Sequence, residues 1–120
     1  MKQITKSLED YLEAILILEL KKKELHSVNI AKFLGVSKPA VTRALNDLAK
    51  LNYVKKESYE DVVLTSKGRE VAKKIYHRHT TIKQALINIG VNEKVAERDC
   101  CLIEHVISDD TLRALEKLNK

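Results

Sequence analysis

The stretch from residue 28 to residue 64, VNIAKFLGVSKPAVTRALNDLAKLNYVKKESYEDVVL, decides the fold. Val28 to Leu34 carries Ile30, Ala31 and Leu34 on one face at helical spacing. Gly35 can adopt left-handed backbone, which stops that helix and turns the chain sharply. Ser37 is a cap for the next helix, and Pro39 falls in its first turn, where a missing N–H costs nothing. The apolar stripe of this helix is Val41, Ala44, Leu45, Leu48 and Leu51. The period then shortens to two. Tyr53–Lys56 and Val62–Thr65 are β-type runs on either side of Glu57–Asp61, the pattern of a hairpin. Helix, glycine turn, helix and ribbon together predict a winged helix-turn-helix.

That motif is a DNA-reading device, and the charge agrees with it. Between Lys21 and Glu60 there are nine basic residues against four acidic ones, an excess of +5 that equals the net charge of the whole chain. A basic block inside a folded domain suits a polyanion. The second helix of the motif presents Ser37, Lys38, Pro39, Thr42 and Arg43 at its N-terminal end. Backbone N–H groups and small polar side chains there can grip phosphate, and Arg43 can offer a bidentate donor to a guanine edge. Lys55 and Lys56 lie on the wing, suited to flanking backbone, while Val36 is placed to plug the angle between the helices. Glu60 and Asp61 near the wing tip argue against deep minor-groove insertion. The plain alternative is a three-helix cluster with a hairpin on a solvated basic surface.

Working outward, Ser7 is a candidate cap for a first helix in which Leu8, Leu12, Ile15, Leu16 and Leu20 recur at helical spacing. After the wing, Thr65 or Ser66 caps a long fourth helix through Val71, Ala72, Ile75, Ile82, Leu86 and Ile89, ending at Gly90. A fifth is expected from Asn92 to Ile107, and Ser108 caps a sixth over Asp109–Asn119. The expected architecture is mainly α, with a DNA-binding domain over residues 1–66 and an all-helical domain over residues 67–120. Aromatics are 4% with no Trp, so the core is aliphatic. The stripes of the later helices (Ile82, Leu86, Val95, Ile103, Leu112, Leu115) exceed what a short chain buries alone, which predicts a homodimer. No run of membrane-spanning length occurs, no signal peptide is expected, and Cys100 and Cys101 suit reduced thiols, so a cytoplasmic protein is expected.

Two sets of metal-ligand residue types stand outside the DNA motif. Asp10 and Glu13 are spaced i, i+3 on the first helix, so their carboxylates share a face. Cys101, Glu104 and His105 are spaced i, i+3, i+4 on the expected fifth helix. Thiolate, carboxylate and imidazole on one stripe make a poor apolar contact and a good chelating surface. His79 lies midway along the fourth helix; His77, two residues away, cannot point into the same site, and it and His26 are left out. Each set alone more often marks a polar surface than a ligand set.

Four ordered motifs add a resemblance. Ser7-Leu8-Glu9-Asp10-Tyr11-Leu12-Glu13-Ala14-Ile15, Ile30-Ala31-Lys32-Phe33-Leu34-Gly35-Val36-Ser37, Val62-Val63-Leu64-Thr65-Ser66-Lys67-Gly68 and Ile103-Glu104-His105-Val106-Ile107-Ser108 resemble the diphtheria toxin repressor family of iron- and manganese-dependent repressors. The resemblance covers essentially the whole chain. It implies an N-terminal winged helix, a helical dimerisation domain and metal held between the first helix and the helices of the second domain. The length resembles the short, manganese-type form, without the SH3-like domain of larger iron-type members. The implied metal ligands are Asp10, Glu13, His79, Cys101, Glu104 and His105.

Asp10 and Glu13 match the manganese-type pattern, whereas iron-type members have Met at the position of Asp10. Cys101 departs from it, because manganese-type members carry a bridging Glu there and iron-type members a Cys. Lys83 and Arg98 stand where iron-type members place a Glu and a His of a second site. A thiolate among carboxylates favours Fe(II) over Mn(II), with Zn(II), Co(II) or Cd(II) able to bind in vitro. The function implied is a metal-dependent repressor, not an enzyme, with double-stranded operator DNA as partner and no membrane or organic cofactor. The rivals are a winged-helix regulator that ignores metal, and a small metallohydrolase built on the same carboxylates and histidines.

Overall fold

The computed structural model describes residues 4–57 and 61–120. The elements run α1 (Lys6–Leu20), α2 (Ser27–Leu34), α3 (Lys38–Lys50), β1 (Val54–Lys56), β2 (Val62–Leu64), α4 (Ser66–Asn88), α5 (Glu93–Ile103) and α6 (Asp109–Leu118). The chain divides within α4 into two compact units, residues 1–73 and 74–120.

In the first unit α1, α2 and α3 pack mutually, and the wing packs on α1 and α3. Leu12, Ile15, Ile30, Val41, Leu48 and Val62 are all buried to 1% exposure or less and form a mainly aliphatic core. The turn of the helix-turn-helix is closed by Gly35 at φ 69°, ψ 37°, whose N–H donates to the Ala31 carbonyl at 2.9 Å. Ser37 caps α3 by accepting from the Ala40 N–H at 3.2 Å, with Pro39 in the first turn. Asn52, also in left-handed backbone at φ 66°, ends α3 and sends the chain into β1. β1 and β2 pair antiparallel with Val54 opposite Leu64, and an isolated bridge between His26 and Asp61 adds a third strand position ahead of α2. The tip of the expected hairpin, residues 58–60 with Glu60, lies outside the described residues.

Gly68 shows how tightly the wing meets α4. A Cβ there would stand 1.8 Å from the Tyr53 carbonyl oxygen, so no other residue fits without moving backbone. Thr65 fastens the same corner: its hydroxyl oxygen accepts from the Gly68 N–H at 3.0 Å and donates to the Asn52 carbonyl at 2.6 Å. An ion pair between Arg69 and Glu19 ties the start of α4 to the end of α1.

Three expectations need correction. The cap of α1 is Thr5, not Ser7: its backbone is extended and its side chain accepts from the Leu8 N–H at 3.2 Å. Val36 is not buried as a plug would be: it is 39% exposed, whereas Ile30 of α2 and Val41 of α3 are 0% exposed. The fifth helix stops at Ile103, where the Val106 and Ile107 N–H groups both close on the Ile103 carbonyl at 3.0 Å and tighten the last turn. Glu104 and His105 therefore sit in a turn beyond the helix.

The second unit holds the rest of α4 with α5 and α6. Ile75, Ile82, Ala85, Ala96 and Cys100 are its buried apolar residues. Asn92 caps α5 and Ser108 caps α6, each accepting from the N–H three residues on. α6 is held largely by polar contacts: His77 to Glu116 at 2.5 Å, Arg78 to Asp109 at 2.9 Å, and the Asn119 amide to the Thr81 carbonyl at 3.0 Å. Ile89, Leu102, Val106 and Leu118 stay 50–82% exposed. Among the described residues no helix is long and apolar enough to cross a membrane.

Candidate metal centre

His79 is the hub of the polar cluster in the second unit. It projects from the middle of α4, its side chain 12% exposed, with donors from α5 and the following turn around it. Its Nδ1 lies 2.7 Å from Glu104 Oε1, and its Nε2 lies 3.1 Å from Glu97 Oε1. Cys100 Sγ is 3.6 Å from both ring nitrogens, and Cys101 Sγ is 4.0 Å from Nδ1. The Cys101 thiol also faces Glu97 Oε2 at 3.4 Å.

Glu104 is the unusual member. It is 1% exposed, and among the described residues its Oε2 accepts no hydrogen bond; His105 Nε2 lies 3.5 Å from it. A buried carboxylate oxygen left without a donor is costly, and a cation removes that cost. The Glu104 oxygen and the His105 nitrogen therefore fit a divalent metal, with His79 fixed beside them by the other oxygen of the same carboxylate.

Of the other ligands expected from sequence, Asp10 and Glu13 lie in the first unit on α1, one turn apart. Asp10 is half-buried and pairs with Lys6 at 2.9 Å, and Glu13 is 7% exposed. The structure groups Cys101 with His79, Glu97 and Cys100. Sequence reasoning missed Glu97 and Cys100, although Glu97 precedes Cys101 by four residues, the spacing that stacks side chains along a helix.

Burial first, then the Glu97 and Glu104 carboxylates, push the Cys100 thiol up to about 12, and burial with Glu97 raises Cys101 as well. Burial tends to raise Glu97, but its hydrogen bond to Lys83 at 3.1 Å and the nearby His79 outweigh that and lower it. The thiols stay protonated near neutrality until a cation displaces their protons.

On the first unit, Ser37, Lys38, Pro39, Thr42, Arg43, Lys55 and Lys56 are all exposed. The Thr42 hydroxyl donates back to the Lys38 carbonyl at 3.2 Å, and the Lys56 ammonium donates to Asn46 Oδ1 at 2.6 Å, joining wing to α3.

Known proteins share both halves. Residues 3–62 match the iron-dependent repressor N-terminal DNA-binding domain, and residues 65–120 match the iron-dependent repressor metal-binding and dimerisation domain. The chain belongs to the diphtheria toxin repressor family. It is 38% identical over 104 residues to the regulator MntR of Bacillus subtilis, covering 87% of this chain and 73% of that one. It is 39% identical over 115 residues to the uncharacterised helix-turn-helix regulator MJ0568 of Methanocaldococcus jannaschii, covering 94% and 92%. The manganese regulator SloR superposes with a TM-score of 0.83 at 28% identity, over 96% of this chain and 54% of that structure, so the chain spans about half its length. The repressor fold, mainly helical with a small wing, is as expected from sequence. Like its family, the chain is a metal-dependent transcriptional repressor and not an enzyme.

Proposed function

We propose that the chain binds operator DNA as a homodimer when a divalent transition metal, Fe(II) before Mn(II), is held by Asp10, Glu13, His79, Cys101, Glu104 and His105. The observation that supports this most is the buried Glu104 Oε2 without a hydrogen bond, facing His105 Nε2 at 3.5 Å. A bound divalent cation supplies the positive charge that this carboxylate lacks. Glu104 Oε1 holds His79 through Nδ1, which orients the ring. Asp10 and Glu13 enter the set through the family resemblance. They stand on α1, which packs against α3, so ligation at α1 acts on the helix that reads DNA.

On the DNA side, Arg43 reads a base edge, and Ser37, Lys38, Pro39, Thr42, Lys55 and Lys56 position the phosphate backbone. The apolar side chains left exposed on the second unit, Leu102 and Val106 among them, support a homodimer. Operator DNA as partner agrees with a cytoplasmic protein.

The test is an anaerobic titration with Fe(II) and with Mn(II), read by binding to duplexes selected from a random pool by the Fe(II)-loaded protein. Tight binding that appears with metal and vanishes with chelator supports the proposal. Binding that ignores chelator means a regulator without metal control.

A further inference from the structure

Around a tetrahedral zinc, thiolate, imidazole and carboxylate donors stand roughly 3.3–3.8 Å apart, as metal–ligand bonds of about 2.0–2.3 Å require. One donor set in the second unit already has nearly that spacing. Cys100 Sγ to His79 Nε2 is 3.6 Å, Cys101 Sγ to Glu97 Oε2 is 3.4 Å, and His79 Nε2 to Glu97 Oε1 is 3.1 Å. One donor atom from each of the four residues lies within 4.8 Å of every other.

We propose that His79, Glu97, Cys100 and Cys101 form a thiolate-rich site for a thiophilic divalent cation of the zinc class, complete within the second unit and independent of Asp10 and Glu13. The proposal rests on the reading of this unit as metal-binding; it shares His79 and Cys101 with the operator-linked set, adds Glu97 and Cys100, and loads in place of that set for ions of this class. Neighbouring residues on a helix normally diverge, yet both sulfurs turn toward the same ring, Cys101 at 4.0 Å from Nδ1. Cys100 is wholly buried, and its thiol spends its hydrogen on the Glu97 carbonyl at 3.2 Å.

The ring is presented for this role. With Nδ1–H donating to Glu104 at 2.7 Å, the Nε2 lone pair points toward Glu97 and the sulfurs, the carboxylate–histidine–metal arrangement. Charge also balances. Two thiolates and the Glu97 carboxylate carry three negative charges, which a divalent cation and the Lys83 ammonium 3.1 Å from Glu97 Oε1 offset, leaving the Glu104 carboxylate to the His79 ring. Sulfur and imidazole ligands with one carboxylate select zinc, cadmium or cobalt over manganese. Loading the site replaces each S–H by a sulfur–metal bond and releases that proton to water, with no change of oxidation state.

The test uses the full chain, reduced and anaerobic. X-ray absorption on the zinc-loaded wild type is expected to show two sulfur neighbours at about 2.3 Å. Cobalt loading is expected to give a near-ultraviolet thiolate charge-transfer band that roughly halves in Cys100→Ser, since each thiolate contributes its own transition. The band is expected to persist in the Asp10→Ala/Glu13→Ala double variant. One sulfur or none, a band unchanged in Cys100→Ser, or a band lost in the double variant each overturns the proposal. The zinc spectrum needs no variant, so misfolding of Cys100→Ser leaves the test intact. Operator binding that ignores metal while the two-sulfur shell is present sinks the proposed function and spares this site.

Discussion

The two units of the chain spend their interiors differently. The first buries a mainly aliphatic core, Leu12, Ile15, Ile30, Val41, Leu48 and Val62, with Glu13 as its one buried charged side chain among the described residues. The second buries a carboxylate, Glu104, against the His79 imidazole, and leaves Leu102 and Val106 at 60% and 82% exposure. In the second unit the polar cluster suits a cation and the exposed apolar side chains suit another protein surface. In the function proposed above, the first unit reads DNA, and the second puts assembly under the control of a ligand.

The comparison breaks most visibly at the apolar face. Leu102→Glu with Val106→Glu places two charges where the dimer is proposed to close. The expected result is a monomer by sedimentation at micromolar concentration, with helical content unchanged. A dimer that survives both substitutions moves the interface elsewhere.

The rigidity of the first unit is tested next at Gly68. An alanine there meets the Tyr53 carbonyl, so Gly68→Ala is expected to lower unfolding stability by about 1–3 kcal/mol in denaturant titration. A neutral result shows that the corner between wing and α4 yields.

Arg43 and Lys56 separate reading from positioning on the same unit. Arg43→Ala is expected to cost about 1–3 kcal/mol in operator affinity and to relax preference at one base pair. Lys56→Ala is expected to weaken all duplexes alike and to flatten the salt dependence. Equal, sequence-independent losses for both demote Arg43 to a phosphate contact.

The smallest effect concerns Glu19. The Arg69 guanidinium hydrogen-bonded to it holds its carboxyl below the ordinary value of 4.5, against the opposing pull of burial. A lowered carboxylate contributes stability that is present above the ordinary value and is lost as pH falls through the folded one. Both side chains are about one-third exposed, so the pair is worth at most about 1 kcal/mol. Wild type is expected to exceed Glu19→Gln in denaturant midpoint at pH 7, and the two to converge below pH 4. A constant gap across that range assigns the effect to packing.

The first unit was legible because its signals are local. Gly35, Ser37 and Pro39 act within one turn of themselves, and the change from helical to alternating spacing at Tyr53 marks the wing. Local competition produced the errors: Thr5 took the cap from Ser7 because its own backbone is extended. The single bridge at His26 and Asp61 joins residues far apart in sequence, so no pattern announces it. In the second unit, Ser108 was visible as a cap and Asn92 as the start of a helix, but helical spacing carried α5 past its end at Ile103. Glu97 and Cys100 escaped for a different reason: a glutamate and a small apolar thiol are ordinary helix residues until α4 brings His79 against them.

The central claim is that the buried Glu104 carboxylate is the acceptor a cation satisfies, and that DNA binding waits on it. Glu104→Gln keeps the size and the hydrogen bond to His79 but removes the charge. Operator affinity is measured for wild type and this variant at one fixed salt concentration, with and without Fe(II). Wild type is expected to gain at least about 100-fold on metal addition, since even residues that only orient ligands are worth about 10–100-fold. Glu104→Gln is expected to gain nothing while remaining a folded dimer. Metal activation of Glu104→Gln equal to that of wild type contradicts the account.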